Sequence, residues 1–571
     1  MKSLFKCSIY LGLSAALFVV VTQEAISQNR SSGKSFATRS EVLAQNGMAC
    51  TSHPLSTQVA LDILKQGGNA IDAAIAANAM EGVVEPHVNG IGGDLFAIIW
   101  DAKTQKLYGL NASGRSPHSL TMQHFKDQNL EYIPALGPLA VSVPGCVDGW
   151  YEMHQTFGKM EMANILAPAI KYAKEGFPVA DELSQSIGTK RYDEYPEFRE
   201  HFSIDGNIPK KGDILKRPDL ANTLQKIANG GRDAFYKGEI AKTIDQYMKE
   251  NGGFLSLKDL ADHRSEWIDP VSTTYRGYEV WELPPNGQGI AVLQMLNLLE
   301  AYDFTDIPFG SPEHIHLFTE AKKLAYEDRA KFYADPEFNK IPVSTLISKD
   351  YADERRKLIS RQQAGANFEA GNPGLKDGDT IYLTVADKEG NIVSLIQSNY
   401  MGFGSGMVPK GLGFMLQNRG ALFNLNEGEF NTYEPNKRPF HTIIPAFVTL
   451  DGLPFFSFGV MGGSFQPLGH VQILMNMIDF GMNIQEAGDA PRFDHQGSSE
   501  PTGENSQGVG IITMEVGFPN ETVKALYSMG HRFGYAPTHV YGGYQGIRYD
   551  PVNKVYYGAS ESRKDGHAAG Y

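Results

Sequence analysis

Two hydroxyl residues, Thr380 and Ser398, stand where one hairpin would bring them side by side. The runs "TIYLTVAD" from Thr380 and "NIVSLIQS" from Asn391 are both strand-like, and Lys388-Glu389-Gly390 between them forms a three-residue loop with Gly where φ must be positive. That loop sets Asp387 opposite Asn391. The same register sets Thr380 opposite Ser398 if no bulge intervenes. Opposed side chains on one face have Cβ atoms about 4.5–5.5 Å apart, so an ordinary Thr–Ser hydrogen bond accounts for the pair. What it leaves unexplained is a strand that opens on Thr380 directly after the polar run Lys376-Asp377-Gly378-Asp379. A second place with chemical potential is "GGSFQPLGH" from Gly462, between the strand-like "PFFSFGVM" and a helix starting near Pro467 or Gly469. Backbone N–H groups at such a turn can donate to an anion, including a reaction oxyanion; a structural tight turn is the alternative. "GIGGD" lacks the GxGxxG spacing and the strand–turn–helix context of a dinucleotide site. No CxxC, HExxH or other clustered ligand spacing occurs, so neither a metal nor a cofactor is expected.

The elements that position these residues form a chain of 571 residues with 42% hydrophobic and 20% charged content, the composition of a packed globular protein. The formal net charge of −14 argues against nucleic acid as the main partner. Lys2 and Lys6 precede the apolar run Ser8 to Val21, and Ala25-Ile26-Ser27 suits cleavage before Gln28. Residues 1–27 therefore read as a secretory signal, and the mature protein as periplasmic or secreted without a membrane span. Cys50 and Cys146 remain after signal removal, as free thiols or as one disulfide. "STQVALDILKQGGNAIDAAIAANAMEGVVEP" reads as two helices, the first capped by Ser56 or Thr57 and ended by Gly67-Gly68, the second Ala-rich for close packing. A hairpin follows "NGIGGD". Residues from about 150 to 270 are mainly helical, and "PGLKDGD", Pro373 to Asp379, is an exposed connector. Strands dominate from Thr380 onward. Helices and strands in blocks give an α+β chain with helices layered on sheets.

The ordered set "GGNAIDAAIA", "VSVPGCVDGW", "PPNGQG", "EAKKLAYEDRAKF", "VADKEGNIVS", "PNKRP", "GVMGGS", "DAPRF" and "GASESRKDGHAAGY" resembles the γ-glutamyltranspeptidase (glutathione hydrolase) family along nearly the whole mature chain. The resemblance implies a four-layer αββα sandwich of the N-terminal-nucleophile hydrolase type, made as a precursor. It implies that the chain cuts its own Asp379–Thr380 bond, leaving a large subunit 28–379 and a small catalytic subunit 380–571 that stay together as a heterodimer. Thr380 would be the nucleophile, Ser398 would orient it and assist processing, Gly462 and Gly463 would form the oxyanion hole, and Thr442 would contribute a pocket hydroxyl. A threonine hydroxyl needs a base beside it. The α-amine freed by cleavage, with a reference pKa of about 7.7–8.0, is that base.

Recognition positions depart from the family pattern. In "NASGRSP" the family's carboxylate-binding Arg falls on Ser113, with Arg115 two residues on. In "GFMLQNRGAL" the family's ammonium-binding Asp falls on Leu422, and Arg419 stands where Gln is usual. Tyr400 replaces an Asn, and His441 replaces the first of two pocket Ser. Burying an ammonium without a charge partner is costly. Leu422 and Arg419 thus suit an anionic or neutral acyl group without an amine, with Arg115 and Arg419 available for carboxylate contacts. Three functions are expected from these residues. The first is a self-processing enzyme that cleaves a γ-glutamyl or related small-molecule amide and passes the acyl group to water or an amine. The second has the same mechanism on an oxamate- or glutaryl-type monoamide. The third is a non-catalytic exported binding protein.

Overall fold

A computed structural model describes residues 33–369, 379–536 and 541–571, with Asp379 and Thr380 described by backbone alone. The expected signal segment and most of the connector before Thr380 lie outside these residues. Thr38–Tyr571 form one compact unit, which carries the fold.

The strands of its two large sheets are, in chain order, β1 Val42–Ala44, β2 Gly47–Thr51, β3 Asp94–Asp101, β4 Lys106–Asn111, β5 Glu266–Ile268, β6 Val271–Tyr275 and β7 Tyr278–Glu282. They continue as β8 Asp379–Asp387, β9 Ile392–Tyr400, β10 Ala446–Leu450, β11 Leu453–Met461, β12 Gly543–Asp550, β13 Val555–Ser560 and β14 His567–Gly570. One seven-stranded sheet runs β14-β2-β8-β9-β3-β4-β5; the other runs β1-β13-β12-β11-β10-β7-β6. Pairing is antiparallel throughout.

Alternation along the strands creates the layers. Phe96, Ile98 and Trp100 of β3 join Tyr382, Ile396, Phe447, Ile547 and Tyr556 in a core between the two sheets. Leu95, Ala97 and Ile99 face the other way, with Leu383, Val385, Val393 and Leu395, into a core shared with helices. Those helices include α1 Pro54–Lys65, α2 Ala70–Val84 and α3 Cys146–Phe157. Helices α4 Ile290–Leu299 and α6 Gln466–Ile478 cover the second sheet, while α5 Pro312–Phe332 packs against α4. Helices, sheet, sheet and helices in that order make the expected αββα sandwich.

Local chemistry explains the helix ends. Pro54 opens α1, and the His53 side chain accepts from the Leu55 amide. Ser56 and Thr57 therefore lie inside the first turn, and the expected cap is corrected to His53, because Pro with its fixed φ suits the first helical position. Gly67, at φ 97°, ends the helix as expected. Asn69 and Asp72 form a capping box on α2, whose alanines are buried nearly all round between the sheet and the helix Met162–Glu175. At the end of α2, the buried Glu81 and Glu85 share the Ser52 hydroxyl. Burial pushes the Glu85 carboxyl up to about 7. Cys50 and Cys146 are free and buried, near Gly546 O and Asn78 Oδ1 respectively.

On α5, His316 and Glu320 lie one turn apart and meet His531. The sequence gives no spacing signal for this cluster, since His531 is distant in the chain. Lys323 Nζ, 2.7 Å from Glu320 Oε1, supplies its positive charge. Among the described residues, no helix is long and apolar enough to cross a membrane.

Candidate active site

The β8–β9 hairpin has the expected loop. Asp387 N donates to Asn391 O, and Gly390 sits at φ 92°. From Ile381↔Gln397 to Ala386↔Ile392 the register is the expected one, but Asp379 pairs with Tyr400. Thr380 alone therefore faces both Ser398 and Asn399 across a bulge, which corrects the direct Thr380–Ser398 pairing. The cause lies on β9. Asn399 N leaves the ladder for Val88 O, and Tyr400, at φ 80°, turns its amide onto Ser398 Oγ at 2.7 Å. Bulges of this kind re-aim side chains.

The second sheet lies over this hairpin with opposite strand direction. Thr384 Oγ1 meets Ser457 Oγ at 2.8 Å, and Gly459 packs against the Tyr382 ring, where a Cβ would come within 2.4 Å. Continuing the same step carries Met461 and the Gly462-Gly463 turn toward Thr380. Gly462 and Gly463 have φ of 128° and 56°, left-handed conformations open to glycine. The turn leads through a short 3-10 segment, Gly463–Phe465, into α6. Side chains fasten it: Gln288 Nε2, from "PPNGQG", donates to Gly463 O (2.9 Å) and Thr442 O (2.6 Å), and the Tyr326 hydroxyl donates to Ser464 O. Arg329 of α5 donates to Gln288 Oε1 at 2.6 Å and pairs with Glu500.

Beside β9, Asp94 of β3 stands directly opposite Ser398. Its Oδ2 accepts from Arg419 Nε at 2.8 Å, and Arg419 Nη1 donates to Thr442 Oγ1 at 2.9 Å. The Tyr400 ring lies under the guanidinium, 4.8 Å from centroid to Cζ. His441 Nδ1 is 3.4 Å from Asp94 Oδ2, and its ring packs on Phe96. Asp94, Arg419, His441 and Thr442 are all buried. Burial raises the Asp94 carboxyl despite Arg419, and burial with the nearby arginines holds His441 well below its usual range, hence neutral. Among the described residues, Arg419 Nη2, both His441 ring nitrogens and both Asn399 amide atoms make no hydrogen bond, while the Asp94 carboxyl is also held by the backbone amides of Ser398 and Asp94 itself.

Ser398, Tyr400, Arg419, His441 and Thr442 are thus brought together at the Thr380 end of the hairpin. Arg115 is engaged elsewhere, with Glu337 (2.6 Å), Glu266 (3.2 Å), Asp335 (3.3 Å) and Asn436 O (3.2 Å). Arg438 shares Glu266 with it. A cavity of about 270 Å³ opens beside Arg115, lined also by His118, Asp259 and Glu337. Ser113 is tied to Asn111 and Asn286, and Leu422 is buried. The sequence reading missed Asp94, Gln288 and Asn399. The signal for Asp94 was an acidic residue closing a Gly loop and opening an otherwise apolar strand.

The family model described as gamma-glutamyltranspeptidase matches residues 56–571. A glutathione hydrolase-like YwrD proenzyme of Bacillus subtilis (strain 168) is 38% identical over 86% of this chain and 91% of its own length. A glutathione hydrolase proenzyme of Escherichia coli (strain K12) is 34% identical over 93% of each. The crystal structure of a cephalosporin acylase from Bacillus halodurans superposes with a TM-score of 0.86 at 41% identity, over 97% of this chain and 99% of that one.

Proposed function

The chain belongs to the gamma-glutamyltranspeptidase family, and from that premise we propose that Thr380 is its nucleophile, exposed when the chain cuts its own Asp379–Thr380 bond. Members of this family are hydrolytic enzymes of the N-terminal-nucleophile type, and this chain is one of them. In the precursor, the Thr380 hydroxyl attacks the Asp379 carbonyl. The acyl group moves from nitrogen to oxygen, and water opens the ester. Products 28–379 and 380–571 remain as one heterodimer.

The α-amine of Thr380 is then the base. It takes the hydroxyl proton as the oxygen attacks the substrate amide, and the proton passes to the leaving amine. The Gly462 and Gly463 amides hold the oxyanion, a contribution worth about 10²–10³ in rate per donor. Ser398 orients the nucleophile, and water or an amine accepts the acyl group from the ester. The observation that carries this reading is the superposition of β11 on β8, which aims the glycine turn at the bulged head of the hairpin.

The acyl group is γ-glutamyl or closely related. The buried Leu422 favours a second reading, a glutaryl- or oxamate-type acyl group without an amine. Residues 1–27 direct the chain to the periplasm or the exterior. Intact mass and N-terminal sequencing of the wild type beside Thr380→Ala test the scheme. Two fragments, the smaller beginning Thr-Ile-Tyr, with an uncut variant, are expected. An uncut but folded wild type would leave a binding protein.

A further inference from the structure

We propose that Tyr326 of α5 is a positioning residue for the oxyanion, acting on the Gly463 amide through a relay of two peptide units that starts at Ser464 O. The assignment rests on the Thr380 reading and adds a side chain to the same site.

The relay has two links. The Tyr326 hydroxyl donates to Ser464 O. That carbonyl shares a planar peptide unit with the Phe465 amide, and Phe465 N donates to Gly462 O at 3.0 Å. Gly462 O in turn shares its unit with the Gly463 amide, one of the two proposed oxyanion donors. Fixing the first carbonyl therefore fixes the direction of the last N–H. Each bond received by a carbonyl also polarises the N–H of its own unit, so the donor is strengthened as well as aimed. Gln288 holds the peptide unit between the two, through Gly463 O. Outside support is needed because Gly462 and Gly463, at φ 128° and 56°, have no Cβ to limit their rotation.

The Tyr326 ring is held in place. It is buried, with Lys322 Nζ 4.0 Å and Arg329 Cζ 3.7 Å from its centroid, from one turn before and one turn after it on α5. Burial raises the phenol well above its usual range, so the hydroxyl keeps its proton and serves as donor. Ser464 is only partly buried, so water can take the place of the hydroxyl on its carbonyl. A bond that served stability alone would then be cheap to lose, whereas one that aims a donor would not.

The test is Tyr326→Phe, which keeps the ring and removes the hydroxyl. It is assayed on whichever of γ-glutamyl-p-nitroanilide and glutaryl-p-nitroanilide the wild type cleaves. The kcat is expected to fall about 30-fold, less than the loss of about 10²–10³ for a whole oxyanion donor, with KM within about twofold and the urea midpoint near that of wild type. Added to Gln288→Leu, the same change should cost no more than about threefold further, because both side chains serve one turn. An unmoved kcat, or losses that simply multiply, overturns the relay and leaves the Thr380 scheme standing. Where the Phe variant folds but is cut slowly, the rate of fragment appearance is read in place of kcat against the same limits. A wild type that is never cut overturns both.

Discussion

Replacing Gln288 by leucine removes two hydrogen bonds given and one received at a single buried point. Gln288 Nε2 serves Thr442 O and Gly463 O, and Oε1 receives Arg329. Leucine fills similar volume but leaves two carbonyls and one guanidinium N–H unpaired in a fully buried place. Each unpaired neutral group costs about 1–3 kcal/mol and a charged one more. Arg329 keeps Glu500, and the freed groups relax together, so a total near 3–5 kcal/mol is expected rather than the full sum. The kinetic effect is separate. With Gly463 O released, the glycine turn loses the side chain that holds it against the Thr442 segment. If the Gly462 and Gly463 amides are the proposed oxyanion donors, they then shift from their places, a loss of about 10²–10³ in kcat with little change in KM. Self-cleavage passes through its own oxyanion and should slow alongside. Urea midpoints, steady-state kinetics and the rate of fragment appearance measure the three effects. Gln288→Glu keeps the acceptor for Arg329 but not the donor, and should slow the reaction as much while destabilising less. A leucine variant with wild-type kcat and unchanged midpoint would refute the role assigned to this side chain.

Other expectations follow from the same geometry. Gly462→Ala places a Cβ 3.2 Å from Gly542 Cα at φ 128°, so kcat should fall about 100-fold while the fold loses only about 1–3 kcal/mol, read by kinetics and denaturation together. The folded-state pKa of Glu85, about 7, lies above the unfolded value, so its contribution is complete below about 4.5 and is lost as pH rises through 7. Glu85→Gln should therefore flatten the stability profile between pH 5 and 8 and raise stability at pH 8 by about 2–4 kcal/mol, as urea midpoints at the two pH values will show. Arg115→Gln leaves the buried Asp335 without its ion-pair partner and should lower stability by about 2–4 kcal/mol, read from urea midpoints; an unchanged midpoint with a raised KM would instead place Arg115 at the substrate.

Much of this architecture was legible because it is local. Loop length and Gly390 set the β8–β9 register, and alternation separated the residues between the sheets from those facing helices. The bulge was not legible. It depends on Val88 O drawing away the Asn399 amide and on the Tyr400 amide turning to Ser398 Oγ, the first of these a contact made by a distant segment. The cap of α1 was missed for a nearer reason, since His53 is an uncommon cap and the reading favoured the hydroxyls that follow it. At the site, Tyr400, Arg419 and His441 were visible as departures from a family pattern, and Thr442 as a match to it. Asp94, which organises them, hid in a glycine loop whose only weighed reading was a dinucleotide site. Folding supplies that information by seating Asp94 opposite Ser398.

The interleaving of strands has a bearing on the order of events. The proposed cut falls after the first residue of β8, and the rest of β8 and all of β9 lie beyond it, yet β8 is hydrogen-bonded to β2 through Thr384 to Asp387 and β9 to β3, both from before the cut. In the other sheet, β10 pairs with β7 across the same divide, and β13 pairs with β1. Neither product owns a complete sheet, so each alone would expose open strand edges, the surfaces through which chains aggregate. Assembly as one chain avoids this, because every pairing is then an intramolecular closure independent of concentration. The fold must therefore be built before the bond is broken. Severing it afterwards frees a terminus and loosens nothing, and the two halves persist as a pair that could not readily have found each other.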